Sequence, residues 1–494
     1  MQIDSHKDYY AVLGVPASAT QSEIKRAYHR LARLYHPDSR RTDAPTTLFH
    51  EAQAAYAVLG DVDTRLAYDR QRKELGLSEE SALVWNVVLS RERLYAPHSE
   101  QMLYALVEIE PAVTSESHRL PLNLCLVIDQ STSMKGARLE HVKESARQIV
   151  GELHDDDALA IVVFSDRAEV ILSSQTGISD VQAKARITPL RAKGGTEILK
   201  GMRAGLVELE KHHSEHVISH LILLTDGCTY GDDEECIALA ESMGARNIGI
   251  SAMGIGEDWN DLLLDEIASR SGGTSAYIAS PGQVHTLLQK RIRRLGAAFA
   301  TGLTLQARCA DGVRVETAFL TSPYLEPLSL SNGLMRLGSL EAGAPLNAVL
   351  EMEVKHKPVG EQRLVQLELR GAVPALSRTN EILRHDIRCT FTNEELNRGR
   401  YAVPSAVVNA LSKITLYRMQ EQAWSALSAG RSDQATSMLE MVATRLLEMG
   451  EKQLARAVML EAGHVATKGH PTARGRKRIK YGTRSLTGGR NIHD

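Results

Sequence analysis

The sequence lacks long apolar runs and paired cysteines. No apolar run in this 494-residue chain reaches the length of a membrane span, and Met1–His6 contains no apolar stretch of the kind that secretory signals carry. The five cysteines are scattered and form no CxxC pair, which argues against a zinc module and favours a reducing, cytoplasmic compartment. The net charge of −3 argues against a protein that binds nucleic acid over its whole surface. We therefore expect a cytoplasmic globular protein of about three or four domains.

Motifs typical of catalysis are also missing. The chain has no G-x-S-x-G nucleophile elbow and no Walker motif, and Gly254-Ile255-Gly256 is too short for a dinucleotide fingerprint. A cluster of serines and aspartates leaves metal-assisted hydrolysis open, but no histidine follows a strand end nearby as a general base. We expect a binding protein and not an enzyme.

The first seventy residues carry two amphipathic helical patterns. Thr20-Gln21-Ser22-Glu23 has the form of a capping box, which marks the start of a helix. Apolar residues then recur on one helical face, and basic residues fall elsewhere: Lys25, Arg26, Arg30 and Arg33. A second helical pattern runs from Leu48 to Leu59. Two such helices with a short connection predict an antiparallel hairpin with a basic outer face.

His36, Pro37 and Asp38 lie between the two helical patterns. Pro37 cannot continue a helix, so the triplet is expected to form an exposed turn with a titratable ring and a carboxylate at its tip. Such a triplet is weak evidence alone, because turn preference explains most isolated cases. Here Asp8–Gly14 (DYYAVLG) precedes it and Arg65–Asp69 (RLAYD) follows it.

These separated motifs, in this order and spacing, resemble the J domain of DnaJ-type co-chaperones, and we assign residues 1–76 to it. The resemblance implies that His36, Pro37 and Asp38 contact a DnaK-type chaperone and stimulate its ATP hydrolysis. It also implies that the basic helix docks on an acidic chaperone surface. A degenerate hairpin kept only for folding is the alternative. Because no Gly/Phe-rich linker and no CxxCxGxG repeat follows, we expect a specialised J protein whose other domains select the client.

Residues 121–300 alternate short apolar runs with helical patterns. The apolar runs are Leu124–Ile128, Leu159–Phe164, Leu221–Leu224, Ile248–Met253 and Ala276–Ile278. Nearly continuous apolar strands separated by helices predict a doubly wound parallel α/β sheet covered on both faces. Ligands of such sheets bind beyond the carboxyl ends of the strands.

Oxygen-bearing residues follow these strands. The candidate ligands are Asp129, Ser131 and Ser133 after the first strand, Thr196 in a glycine-containing loop, and Asp226 after a later strand. An all-oxygen set suits a hard cation such as Mg²⁺ or Mn²⁺. The alternative is that the serines cap the next helix and the aspartates stabilise turns.

The DxSxS motif, then Thr, then Asp, resembles the metal-ion-dependent adhesion site (MIDAS) of von Willebrand factor A (VWA) domains. The resemblance implies that Asp129, Ser131 and Ser133 lie nearest the cation. It implies that Thr196 coordinates in the ligand-bound state, and that Asp226 acts directly or through water. An acidic side chain of an unknown protein partner would complete the coordination shell.

The flanks of this domain carry strand patterns separated by turn formers. Residues 81–120 and 301–395 predict a β-sandwich into which the α/β domain is inserted, and residues 400–466 are helical. The basic, glycine-rich segment 467–494 is expected to be disordered. An alternative is that Arg478–Arg484 joins a sheet edge or binds an acidic partner.

The leading hypothesis is a co-chaperone adaptor that directs a DnaK-type ATPase to a partner held through the metal site. The other hypothesis is a metal-dependent scaffolding protein in which the J domain only docks.

Overall fold

The computed structural model describes residues 9–13, 15, 19–35, 46–74, 81–97, 100–112, 119–229, 231–376, 378–393 and 402–486. Within these ranges, every helix is too short or too polar to cross a membrane. The predicted fold class is confirmed: a small helical domain, an α/β domain flanked by a β-sandwich, and a C-terminal helical region.

The N-terminal domain consists of Tyr9–Leu13 (α1), Gln21–Tyr35 (α2), Thr46–Leu59 (α3) and Val62–Glu74 (α4). The predicted capping box forms, because the backbone amide of Thr20 donates to Glu23 Oε2 at 2.7 Å and the amide of Glu23 donates back to Thr20 Oγ1 at 3.4 Å. Helices α2 and α3 pack through the stacked rings of Tyr28 and Tyr56, whose centroids are 4.2 Å apart.

The motifs at either end of this domain meet in space. The Tyr10 hydroxyl donates to Asp69 Oδ1 and accepts from Arg65 Nε, both at 2.8 Å. The backbone amide of Tyr9 donates to the Tyr68 hydroxyl at 3.0 Å. Helices α1 and α4 are therefore joined by a half-buried polar network as well as by apolar packing.

Three strands follow: Leu83–Leu89 (β1), Arg93–Tyr95 (β2) and Glu100–Pro111 (β3). The α/β domain then contributes Leu122–Asp129 (β4), Ala158–Phe164 (β5), Ala168–Gln175 (β6), Ile218–Thr225 (β7), Gly249–Ile255 (β8) and Thr274–Ile278 (β9). Its helices are Ala137–Val150 (α5), Asp180–Ile187 (α6), Ile198–Glu210 (α7), Asp233–Ala245 (α8), Asp261–Ser271 (α9) and Val284–Gly296 (α10). The strand order is β6-β5-β4-β7-β8-β9.

Strand β4 shows why this sheet is buried on both faces. Leu124 and Leu126 pack in a core with α5 and α10, whereas Cys125 and Val127 pack in a second core with α7, α8 and α9. Successive side chains of a strand point to opposite faces, so a strand covered by helices on both sides must be apolar throughout.

The sheet is mixed, not wholly parallel as predicted. Strand β6 was not predicted, and it pairs with β5 in the antiparallel direction at one edge. The connection from Phe164 to Ala168 is too short for the crossover that parallel neighbours need, and the amide of Ser165 closes it by donating to the carbonyl of Arg167 at 3.0 Å.

The second half of the sandwich follows the α/β domain. It comprises Ala298–Cys309 (β10), Val313–Ser322 (β11), Glu326–Pro327 (β12), Leu334–Glu341 (β13), Leu346–Lys355 (β14), Gly360–Val373 (β15) and Arg378–Thr392 (β16). The sheets have the orders β1-β3-β14-β11-β12 and β13-β10-β15-β16-β2 and share one core. Since β3 pairs with β14, with Ile109 opposite Leu346, the α/β domain is inserted into the sandwich as predicted.

The C-terminal region forms Ser405–Ser428 (α11), Ser432–Glu448 (α12), Lys452–Lys468 (α13) and Ala473–Arg484 (α14). The prediction of a disordered tail from residue 467 is wrong for α14, which packs against the α/β domain. Some of its cations have internal partners: Lys477 Nζ donates to the carbonyls of Glu257 and Trp259, each at 2.7 Å. Residues 487–494 lie outside the described residues.

Candidate metal-ion site

The two candidate carboxylates lie at the same edge of the α/β sheet. Asp129 is the last residue of β4, and Asp226 directly follows β7. The two strands are parallel neighbours, with Ile128 opposite Leu224, so their carboxyl ends coincide. Both aspartates are fully buried.

A chain of hydrogen bonds joins these carboxylates through the two serines. The backbone amide of Ser131 donates to Asp129 Oδ1 at 2.7 Å. The hydroxyls of Ser131 and Ser133 are 2.9 Å apart, and the Ser133 hydroxyl donates to Asp226 Oδ1 at 2.7 Å. The structure therefore brings together the four residues predicted from the DxSxS motif and the later aspartate.

The loop that carries Thr196 is held against the DxSxS loop. Both the amide and the hydroxyl of Thr132 donate to the carbonyl of Gly194, at 3.0 and 2.9 Å. Gly194 has a φ of +75°, and a Cβ there would come within 2.5 Å of Asp166, so this tight turn requires glycine. Thr196 itself is buried.

Gly227 shows how close the remaining hydroxyls lie. A Cβ on Gly227 would be 3.1 Å from Thr196 Oγ1 and 3.8 Å from Ser133 Oγ. Thr196 is thus a neighbour of the serine and aspartate cluster, and all the residues predicted for the metal site share one small region.

The electrostatics of the site are those of two buried acids placed close together. Burial raises the pKa of Asp129, hydrogen bonds from Thr225 and Ser131 lower it, and the charge of Asp226 raises it, with a net rise. The Thr225 hydroxyl donates to Asp129 Oδ2 at 2.6 Å. Arg138 Nη1 lies 2.5 Å from Asp226 Oδ2.

Sequence reasoning did not identify Arg138 or Thr225 as parts of the site. Thr225 gave no signal beyond its place at a strand end. The position of Arg138 was a signal, because a cation is unfavourable in the first turn of a helix, where the helix dipole favours acids, and Arg138 lies in the first turn of α5.

The donor set fits a hard divalent cation. It consists of carboxylate and hydroxyl oxygens, which are ligands for Mg²⁺ and Mn²⁺ and poor ligands for soft metals. Across the described residues, no group of three or more histidine, cysteine and acidic side chains is placed to hold a metal ion. The oxygen-bearing residues that share this region are Asp129, Ser131, Ser133, Thr196 and Asp226.

The residues predicted to contact a chaperone are described only in part. Lys25 and Arg26 are exposed on α2, as expected for a docking face. Arg30 and Arg33 also belong to α2, but their side chains lie outside the described residues, as do His36, Pro37 and Asp38.

Three family models match the chain. Residues 8–69 match the DnaJ domain, residues 123–290 the von Willebrand factor type A domain, and residues 405–489 the Sll0103-like C-terminal alpha-helical domain. A Synechocystis protein named uncharacterized protein sll0103 is 30% identical over 358 residues, which cover 70% of this chain and 83% of that protein. The chain belongs to the Sll0103-like family.

The Sll0103-like chain also resembles chaperones and solved VWA structures. Chaperone protein DnaJ 2 of Thermus thermophilus is 59% identical over 63 residues, which are 13% of this chain and 22% of that protein. The structure titled von Willebrand factor type A from Catenulispora acidiphila has a TM-score of 0.68 at 20% identity, covering 82% of this chain and 97% of that one. The ArnB paralog VWA2 from Sulfolobus acidocaldarius has a TM-score of 0.54 at 16% identity, covering 83% and 100%.

These likenesses confirm a J domain at the N-terminus and a VWA domain in the middle of the chain. The solved structures show the fold alone. The chain spans about a fifth of the DnaJ protein, so only the J domain is shared with it.

Proposed function

We propose that this Sll0103-like protein is a co-chaperone adaptor. Its J domain recruits and stimulates a DnaK-type ATPase, and its VWA domain binds a protein partner through a divalent cation. The observation that carries the metal half is the hydrogen-bonded chain from Asp129 through Ser131 and Ser133 to Asp226 at the carboxyl edge of the sheet.

Five residues would hold the cation: Asp129, Ser131, Ser133, Thr196 and Asp226. When bound, the cation would supply a coordination position that an acidic side chain of the partner can occupy. The chain itself orients the acids, since Thr225 fixes Asp129 and Ser133 fixes Asp226. Burial of both carboxylates favours a cation at this edge, because Arg138 balances only Asp226 and leaves two close acids with a single counter-charge.

The J-domain half of the proposal is supported by the family match over residues 8–69 and by the exposed cations Lys25 and Arg26 on α2. A basic helix steers and orients docking on an acidic surface. His36, Pro37 and Asp38 are the proposed residues for stimulating ATP hydrolysis.

We propose binding and not catalysis at the metal edge. The serine hydroxyls are hydrogen-bonded to each other and to Asp226, and in the part of the chain that the structure describes no histidine joins this cluster as a general base.

A metal titration tests the VWA half. Calorimetry with Mg²⁺ and Mn²⁺ should give saturable binding for the full chain and none for Asp129→Ala, with Asp156→Ala as the matched control, because Asp156 is an exposed aspartate that pairs with Arg119. Capture of partners identified by mass spectrometry should then need the cation and fail with chelator. Capture that survives both chelator and Asp129→Ala removes the metal site from the mechanism.

ATP turnover by a DnaK-type chaperone tests the J-domain half. The full chain should stimulate turnover and His36→Gln should not, whereas the control His50→Gln, an exposed histidine on α3, should retain stimulation. Equal stimulation by the chain and by His36→Gln contradicts this half.

The scaffolding alternative predicts no stimulation with metal-dependent capture intact.

A further inference from the structure

A polar cavity lies where the α/β domain meets the sandwich. Its volume is about 160 Å³, and its walls come from the amino ends of β7 and β8, from α10, and from β10 and β13. This is the edge of the sheet opposite the candidate metal site, so the cavity is separate from it. Ligand cavities are common at domain interfaces.

Four arginines and two glutamates line this cavity: Arg246, Arg291, Arg294, Arg336, Glu215 and Glu341. Two of the arginines have acidic partners. Arg246 pairs with Glu210 at 2.7 Å, and Arg294 pairs with Glu341 at 3.6 Å. Glu215 is exposed to solvent. Of the two glutamates in the cavity wall, Glu341 is paired and Glu215 is solvated. Arg291 and Arg336 are the two lining arginines that have no acidic partner among the described residues.

The guanidinium of Arg291 lies in the cavity wall and forms no ion pair with a carboxylate that the structure describes. Its Nη2 lies 3.4 Å from His220 Nε2, and its Nε is buried with no hydrogen-bond partner among the described residues. Burial and the charge of Arg294 lower the pKa of Arg291 more than Tyr324, Glu341 and Glu326 raise it, yet a guanidinium stays charged at neutral pH.

The neighbour of Arg291, His220, is a neutral ring and does not balance the charge of the guanidinium. It is buried, and its Nε2 lies 2.8 Å from Ser251 Oγ. Burial and the charge of Arg291 hold the pKa of His220 well below its usual range, so the ring is neutral at pH 7.

Arg336 approaches the same cavity from the sandwich. Its Nη1 donates to the carbonyl of Gly244 at 3.1 Å, and it forms no ion pair with any carboxylate that the structure describes. A guanidinium has five donors, so most of those on Arg336 are available to a ligand. Arg291 and Arg336 thus bring positive charge to one cavity from two different domains.

We propose that this cavity binds a small oxyanion, a phosphate or a compact carboxylate, between Arg291 and Arg336. The planar guanidinium fork matches both groups and can hold either in a bidentate manner. The volume is below the 300–1,000 Å³ typical of sites for drug-sized ligands, which favours a compact anion. A bound anion bridges the α/β domain and the sandwich and fixes their relative position.

Calorimetry on the full chain, in chloride buffer of fixed ionic strength, tests the proposal with inorganic phosphate and with malonate as probes. We expect saturable binding of at least one, and their relative affinities tell the phosphate source from the carboxylate source. Arg291→Gln and Arg336→Gln should each weaken binding at least tenfold. Arg445→Gln, an exposed arginine paired with Glu448 on α12, should bind as the unchanged chain does.

Thermal unfolding separates specific binding from general salt effects, because phosphate stabilises many proteins by exclusion from their surface. A specific site raises the unfolding temperature of the unchanged chain and not that of the arginine variants. If the glutamine variants do not fold, Arg336→Lys keeps the charge, loses the fork and should bind more weakly. Absence of saturable binding, or an equal shift in all variants, overturns the proposal. Asp129→Ala should leave anion binding unchanged, so the test of the anion site is independent of the test of the metal site.

Discussion

The guanidinium of Arg138 lies 2.5 Å from the carboxylate of Asp226, measured from Nη1 to Oδ2. Asp226 accepts the Ser133 hydroxyl through its other oxygen, so both of its oxygens are engaged. The Arg138 side chain is 32% exposed and also lies 3.8 Å from Asp258. A cation of the chain itself therefore balances one acid of the proposed metal site from the solvent side, where it can move aside without disturbing a core.

Replacing Arg138 by glutamine should tighten the binding of Mg²⁺, because the variant removes a positive charge that competes for Asp226. A partly exposed pair of this kind contributes about 0.5–1.5 kcal/mol, which corresponds to a twofold to twelvefold gain in affinity. Calorimetric titration measures the gain, with Lys135→Gln as the control, since Lys135 is an exposed cation three residues before Arg138. Unchanged or weaker Mg²⁺ binding in Arg138→Gln contradicts the competition.

Replacing Asp265 by asparagine should release α14 from the α/β domain. Asp265 pairs with Arg484 through two contacts of 2.8 Å and with Lys480 at 2.7 Å, and it accepts the Tyr481 hydroxyl at 2.9 Å. Loss of one partner in a buried ion cluster costs about 3–5 kcal/mol. Hydrogen exchange in residues 473–484 should rise sharply, whereas the exposed control Asp233→Asn should leave it unchanged.

The same cluster predicts a response to acid. Burial acts to raise the pKa of Asp265, but Arg484 and Lys480 lower it by more, so the net shift is downward from 3.8. A carboxylate with a lowered pKa stabilises the fold above its unfolded pKa, and the stabilisation is lost as pH falls through the folded value. The protection of α14 amides, measured as the exchange rate relative to that of the unfolded chain at the same pH, should therefore stay high at pH 5 and fall below about pH 4. Loss of protection already at pH 6 would point to another group.

Glu326, on β12, predicts a pH dependence of opposite sign. Burial raises its pKa from 4.5 to about 8, so the folded protein holds a proton there that the unfolded chain has released. The contribution of Glu326 to stability is then full below pH 4.5 and is lost as pH rises towards 8, by roughly 3–5 kcal/mol in total. Glu326→Gln should remove this loss and unfold at a higher temperature than the unchanged chain at pH 9.

Thermal unfolding at pH 5, 7 and 9 and fixed ionic strength measures the effect. Glu353→Gln is the matched control, because Glu353 lies on β14 of the same sheet and pairs with Arg314 at the surface at 3.3 Å. Parallel pH profiles for Glu326→Gln and the unchanged chain would show that Glu326 is ionised in the fold.

Replacing Arg65 by alanine should destabilise the J domain selectively. Arg65 donates to the Tyr10 hydroxyl at 2.8 Å and to the carbonyl of Ala19 at 2.8 Å, so it joins α4 to the segments before α2. Loss of hydrogen bonds from a charged donor in a partly buried network costs about 2–3 kcal/mol. Hydrogen exchange should rise in residues 9–74 and stay constant in the sandwich, with the exposed neighbour Arg70→Ala as a control.

The sequence allowed the fold class and the grouping of the metal-site residues to be predicted because both follow local rules. Alternating apolar runs indicated the strands, and the carboxyl ends of neighbouring parallel strands meet at one edge, which placed Asp129 beside Asp226. The proximity of Arg138 to Asp226 could not be predicted, because it depends on how the first turn of α5 is oriented over β7.

The helix α14 could not be predicted for a different reason. Its composition is that of a solvated segment, with many cations and few apolar side chains. The helix is ordered by contacts with residues far away in sequence, such as the carbonyls of Glu257 and Trp259 and the carboxylate of Asp265. Local composition contains no record of such partners, so a composition rule predicts disorder where tertiary contacts produce a docked helix.

The insertion of the α/β domain in the sandwich sets an order of events during synthesis. Strand β3 leaves the ribosome early, but its partner β14 is synthesised only after the whole inserted domain. The pairing of Ile109 with Leu346 therefore cannot form until then. At about 5–20 residues per second the delay is on the order of 10–50 s. During that time β1 and β3 form at most a hairpin with a free edge, the kind of structure that associates with other chains. The nascent protein is thus exposed to aggregation at a stage when its own J domain has already been synthesised.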